Sequence, residues 1–139
     1  MRNSRFNMLT GALLTLVMAG LNPAVSQTAA PEEALRLIAS RSVGMPEASF
    51  EASSEPHVLI ILRVNSTMNA SSHEGRNNEA TAIAKAIAAE FKRKGKQYSA
   101  IQSIRVDYVQ RTGKPAHDDL VDRIDFRKNA AGTFELHVT

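Results

Sequence analysis

One stretch limits what can be built around it. Residues 57–65 read HVLIILRVN, almost continuously apolar and rich in β-branched side chains. A strand of this kind belongs where both faces of a sheet are covered or nearly so. The cover is encoded downstream. Ala80, Ile83, Ala84, Ile87 and Phe91 recur at helical spacing, giving one apolar face to a helix that begins between His73 and Glu79 and runs to about Lys94. Lys92, Arg93 and Lys94 suit the negative end of its dipole, and Gly95 is placed as a left-handed cap. Capping accounts for that basic cluster without a ligand.

The flanking segments complete a sheet. Residues 31–39 (PEEALRLIA) predict a short helix, with Pro31 at its start and Glu32 and Glu33 opposing the positive dipole. Residues 40–55 carry Gly44, Pro46 and several serines and read as a linker with a short edge strand around Phe50. Residues 104–111 (IRVDYVQR) alternate, placing Ile104, Val106 and Tyr108 on one side. A turn region over 112–119 follows, containing the acidic run His117, Asp118 and Asp119. Residues 120–127 and 133–138 then alternate again. Ile124, Phe126, Phe134, Leu136 and Val138 fall on one face, and Arg123, Asp125, Arg127, Glu135 and His137 on the other. Between them Asn129 and Gly132 bracket a three-residue hairpin loop. That loop sets Asn129 opposite Thr133, Arg127 opposite Glu135, Phe126 opposite Leu136 and Asp125 opposite His137. The predicted fold is an α+β two-layer sandwich of order α-β-α-β-β-β, with a mixed sheet, one main helix on it and a C-terminal antiparallel meander.

The N-terminus has a different character. Arg2 and Arg5 precede an uncharged, mostly apolar stretch over 8–21, then Pro23 and the small-x-small triplet Ala24, Val25, Ser26. This is the three-part pattern of a secretory signal peptide covering residues 1–26. Its apolar run would span only ~21 Å as a helix, short of a ~30 Å hydrocarbon core. The expected organisation is signal peptide 1–26, helix and linker 27–55, and globular domain 56–139. The expected location is periplasmic or secreted, with the membrane touched only through the signal before cleavage. Without residues 1–26 the basic count falls from 17 to 15 against 14 acids, so most of the +3 charge is targeting charge. That removes the argument for a nucleic-acid partner. The chain has no cysteine, so an exported domain would rest on its core alone, without disulfides.

Signatures of chemistry are missing. His57, His73, His117 and His137 are too far apart in sequence to form a local metal-ligand pair, and no cofactor motif is present. No Gly-x-Ser-x-Gly elbow or Ser-x-x-Lys element exists. Ser71 and Ser72 read as helix caps, with Ser71 and Glu74 at capping-box spacing. Two surfaces remain. The loop 65–73 offers Asn65, Ser66, Thr67, Asn69 and His73 where a strand end meets a helix N-terminus, the usual ligand position in open α/β layouts. The charged face of Arg123, Asp125, Arg127, Glu135 and His137 should be solvated, and offers a mixed-charge docking surface. The function expected on this basis is a small non-enzymatic exported module that binds another envelope protein or itself. A ligand-binding or hydrolytic domain using the polar loop is the alternative.

Overall fold

A computed structural model of the chain describes residues 31–138; the expected signal peptide lies outside them. The elements run α1 (Pro31–Val43), β1 (Phe50–Ser54), β2 (Val58–Val64), α2 (His73–Lys94), β3 (Ser103–Thr112), β4 (His117–Lys128) and β5 (Phe134–His137). The five strands form one sheet in sequence order. Only β2 and β3 pair in parallel, joined through α2; every other neighbour is antiparallel. The α+β two-layer architecture and its C-terminal meander are as the patterning predicts.

Each apolar pattern finds its layer. Leu59 and Ile61 of β2, Ile104 and Val106 of β3, and Ile124 and Phe126 of β4 meet the buried face of α2, which is Ala80, Ile83, Ala84, Ile87 and Phe91. Helix α2 starts at the Ser72 hydroxyl, which accepts from the Gly75 N–H at 3.1 Å. The cap is therefore Ser72, not Ser71. It stops at Gly95, whose φ of 58° and ψ of −113° suit glycine.

Residues 31–55, expected as a helix and linker, belong to the same body. Leu35, Ala39 and Phe50 are at most 1% exposed in the common core, and β1 pairs with β2 from Phe50↔Arg63 to Ser54↔Leu59. The short edge strand expected around Phe50 is β1, with Phe50 and Ala52 as its apolar positions. Helix α1 also outlasts its expected end at Ala39, because the buried Ser40 hydroxyl donates to the Met45 carbonyl at 2.6 Å and ties down the exit.

The run His117–Asp118–Asp119 is not part of a turn. It opens β4, with His117 opposite Thr112, Asp118 opposite Arg111 and Asp119 opposite Gln110. The turn shrinks to residues 113–116, so β3 and β4 project past the end of β2 as a two-stranded arm. Between Tyr108↔Asp122 and Val109↔Leu120 the ladder skips Val121, a bulge that alternation alone conceals.

The last hairpin keeps its predicted register: Asp125↔His137, Phe126↔Leu136 and Arg127↔Glu135. The Asn129 N–H donates to the Thr133 carbonyl at 2.8 Å, and Gly132 takes the left-handed conformation at φ 81°. Among the described residues, no helix is long and apolar enough to cross a membrane.

Candidate functional site

The loop 65–73 spends its polar groups on the fold. Asn65, at φ 49°, turns the chain out of β2, and its Oδ1 accepts from the Arg111 N–H at 2.7 Å and the Gln110 amide at 3.0 Å. The Ser66 hydroxyl accepts from Met68 N–H at 3.0 Å. Asn69 donates to the Val109 carbonyl at 3.1 Å and to Gln110 at 3.2 Å. The loop thus staples the β3–β4 arm to the end of β2. Thr67 is exposed, and His73 points away to β4.

His73 leads into a polar seam between α2 and the sheet. Its Nδ1 lies 2.7 Å from Asp122, which also accepts from Arg76 Nε at 2.7 Å. Arg76 further donates to the Ser71 carbonyl at 2.5 Å. The single Tyr108 O–H lies 3.1 Å from both the Arg76 carbonyl and Glu79 and is shared between them, and Glu79 in turn accepts from Arg63 Nε at 3.0 Å. Arg63 is fully buried, its guanidinium 4.4 Å from the Phe50 ring centroid, and its Nη1 and Nη2 lack partners. Burial first, then the Glu79 charge, drives the Tyr108 hydroxyl far above its usual range. Burial alone would raise Asp122, yet hydrogen bonds from Arg76, His73 and the Arg123 N–H outweigh it and hold the carboxyl below its ordinary value. The seam orients charge but presents no nucleophile to His73. Sequence reasoning missed it, because Arg63 sits inside an apolar run and Tyr108 on the apolar side of an alternating strand. The one signal was an arginine in HVLIILRVN.

On the outer face of the sheet the predicted charges are paired across β3 and β4, not across the hairpin. Arg123 grips Asp107 with two bonds of 2.8 Å, and Arg105 reaches Asp125 at 2.8 Å. The Asp107 hydrogen bond, against burial, raises the Arg123 pKa. Arg127 and Glu135 face each other in the ladder, but Glu135 accepts from the Asn129 amide at 2.7 Å.

The larger concavity lies elsewhere, between the C-terminal half of α2 and the β4–β5 hairpin. It measures about 690 Å³, within the usual range for ligand clefts. With α1 seated beside α2 and against β1, α2 meets the far side of the sheet at β4 and β5, where Phe91 stands edge-on to Phe134. The flank of α2 facing the groove carries the short Ala84 and Ala88 and the ring of Phe91, while Phe126, Phe134 and Leu136 line the sheet side. Lys85, Lys92 and Lys128 also line it, and no carboxylate does. None of the five loop residues expected to bind a ligand borders this groove. Only His73 touches a second, smaller hollow of about 110 Å³, shared with Asn77, Arg123 and His137.

Among the described residues no group of three or more histidines or carboxylates is placed to hold a metal. No protein-family model, curated protein or solved structure matches the chain.

Proposed function

We propose that this chain is an exported, non-enzymatic binding module whose working site is the groove between α2 and β5, and that it takes an anionic amphiphile there. The observation that carries this reading is the lining of the groove: alanine, aromatic and leucine side chains with three lysines and no acid. An apolar tail gains from leaving water against Phe91, Phe126 and Phe134. A terminal carboxylate or phosphate meets ammonium groups that have no carboxylate beside them in the groove. Lys128, held 5.7 Å from the Phe134 ring centroid, joins the two halves of the site.

The fluorescent long-chain carboxylate cis-parinarate tests this directly. We expect saturable one-to-one uptake, weakened at least about tenfold when Ala88→Trp fills the groove or when Lys85, Lys92 and Lys128 are all changed to Glu, since losing charge pairing of a few kcal/mol is worth that much. Thermal melts check that each variant stays folded. No saturable uptake, or uptake indifferent to Ala88→Trp, would overturn the reading.

Export carries its own test. The triplet Ala24, Val25, Ser26 supports cleavage before Gln27. Intact mass of material recovered outside the cytoplasm should correspond to a chain beginning at Gln27. A mass that retains residues 1–26 would make the segment an anchor instead.

A further inference from the structure

The two edges of the sheet are unlike. At one edge, β1 carries Glu51, paired with Arg111, and α1 packs against it. At the other, the outer edge of β5 has no strand partner among the described residues, and apolar side chains are exposed beside it. Leu136 is 43% and Val138 82% exposed, two of the four large hydrophobic residues exposed among those described. A bare apolar edge is a template for another strand, and the sequence of β5 indicates which one.

We infer that β5 pairs antiparallel with β5 of a second copy of this chain, about a two-fold axis at Leu136. The hydrogen-bonding alternation supplies the first constraint. Asn129 bonds Thr133 across the hairpin, so in an antiparallel ladder residues 133, 135 and 137 direct their backbone groups toward β4. Phe134, Leu136 and Val138 therefore direct theirs outward, and only these can bond a new strand. Symmetric pairing must then match even-numbered residues with even-numbered ones, which leaves few registers.

Charge selects among them. With Leu136 opposite Leu136, Glu135 falls opposite the partner's His137, and Phe134 opposite the partner's Val138. Within each copy Arg127 already faces Glu135, and Asp125 faces His137. Across the joined outer face the row becomes Arg127, Glu135, the partner's His137, the partner's Asp125. Its groups alternate between base and acid without a break. A shift to Phe134 opposite Leu136 would set Glu135 against its own copy, and a shift to Leu136 opposite Val138 would set His137 against its own. Like groups directly opposed are unfavourable. Only the first register brings complementary side chains together, and it also covers Leu136 and Val138. The pairing uses the backbone edge of β5 and does not require the groove to bind anything, although Leu136 borders both.

Sedimentation equilibrium on the exported protein tests the contact. We expect a concentration-dependent dimer. Glu135→Arg, which opposes a base to His137, should weaken it at least about tenfold. Leu136→Lys should give a folded monomer, the site being half-exposed already. Since the chain has no cysteine, Leu136→Cys with a short bis-maleimide reports proximity: it should cross-link two copies, while Lys114→Cys on the distant arm should not. A wild-type monomer at ~100 μM overturns the inference, because a dimer this weak would be no more than a crystal-type contact. A dimer unaffected by both Glu135→Arg and Leu136→Lys overturns it as well. Parinarate uptake by a monomeric wild type would reject the dimer and leave the groove reading standing.

Discussion

Glu79→Ala should cost about 3–5 kcal/mol, since it strands a buried cation. Arg63 is fully buried, and its one side-chain hydrogen bond runs to Glu79, 3.0 Å away. Removing that carboxylate leaves the guanidinium without its side-chain hydrogen bond and resting on the Phe50 ring, and a cation–π contact contributes roughly 0.5–2 kcal/mol. The double variant Arg63→Met with Glu79→Leu should recover most of the loss, because apolar groups of similar volume then fill the same space. Tyr108 keeps an acceptor in that variant, the Arg76 carbonyl at 3.1 Å. Urea unfolding of the three proteins gives the comparison. A Glu79→Ala variant within about 1 kcal/mol of wild type would mean that solvent reaches Arg63 and that the seam is open.

Phe91→Ala should be as damaging, by another route. The ring is 8% exposed, 4.7 Å from Tyr98 and edge-on to Phe134 at 5.7 Å between centroids. It is where α2, the turn beyond Gly95 and strand β5 meet. Truncating a buried phenylalanine costs about 3–5 kcal/mol, a large share of the roughly 5–15 kcal/mol that holds a domain folded. At about 4 °C or more per kcal/mol for a chain of this size, the melting temperature should fall by more than ~10 °C. A melt within a degree or two of wild type would mean that the C-terminal turn of α2 does not rest on the sheet.

The sequence declared the fold where one residue type repeats at one period. The face of α2, the apolar run of β2 and the β4–β5 hairpin each satisfy a local rule, and Asn129 with Gly132 fixed the hairpin register by turn chemistry. It concealed what depends on distant partners. The edge strand around Phe50 was legible, but its extent over 50–54 shows only in its ladder with β2, and the start of β4 only through Arg111, which draws Asp118 out of an apparent turn. The bulge at Val121 breaks alternation just where the pattern looked regular. The candidate site was less legible still. A groove is a space between elements, here α2 and the β4–β5 hairpin, and no single residue announces it. The loop 65–73 looked like a ligand site because it is rich in donors, yet Asn65, Ser66 and Asn69 turn theirs inward to the chain.

The lone parallel pair in the sheet divides the cost of assembling it. Strands β3, β4 and β5 are joined by short connections, 113–116 and 129–133, so closing each ladder restricts little chain. Joining β2 to β3 means closing the long excursion from Val64 to Ser103, and the entropy of that closure grows with the logarithm of its length. Helix α2 shortens the excursion by prefolding most of it. Its intrinsic helicity is thus a kinetic asset as well as a structural one: the alanines that line the groove also favour the helix, and with it the early meeting of the two halves of the sheet.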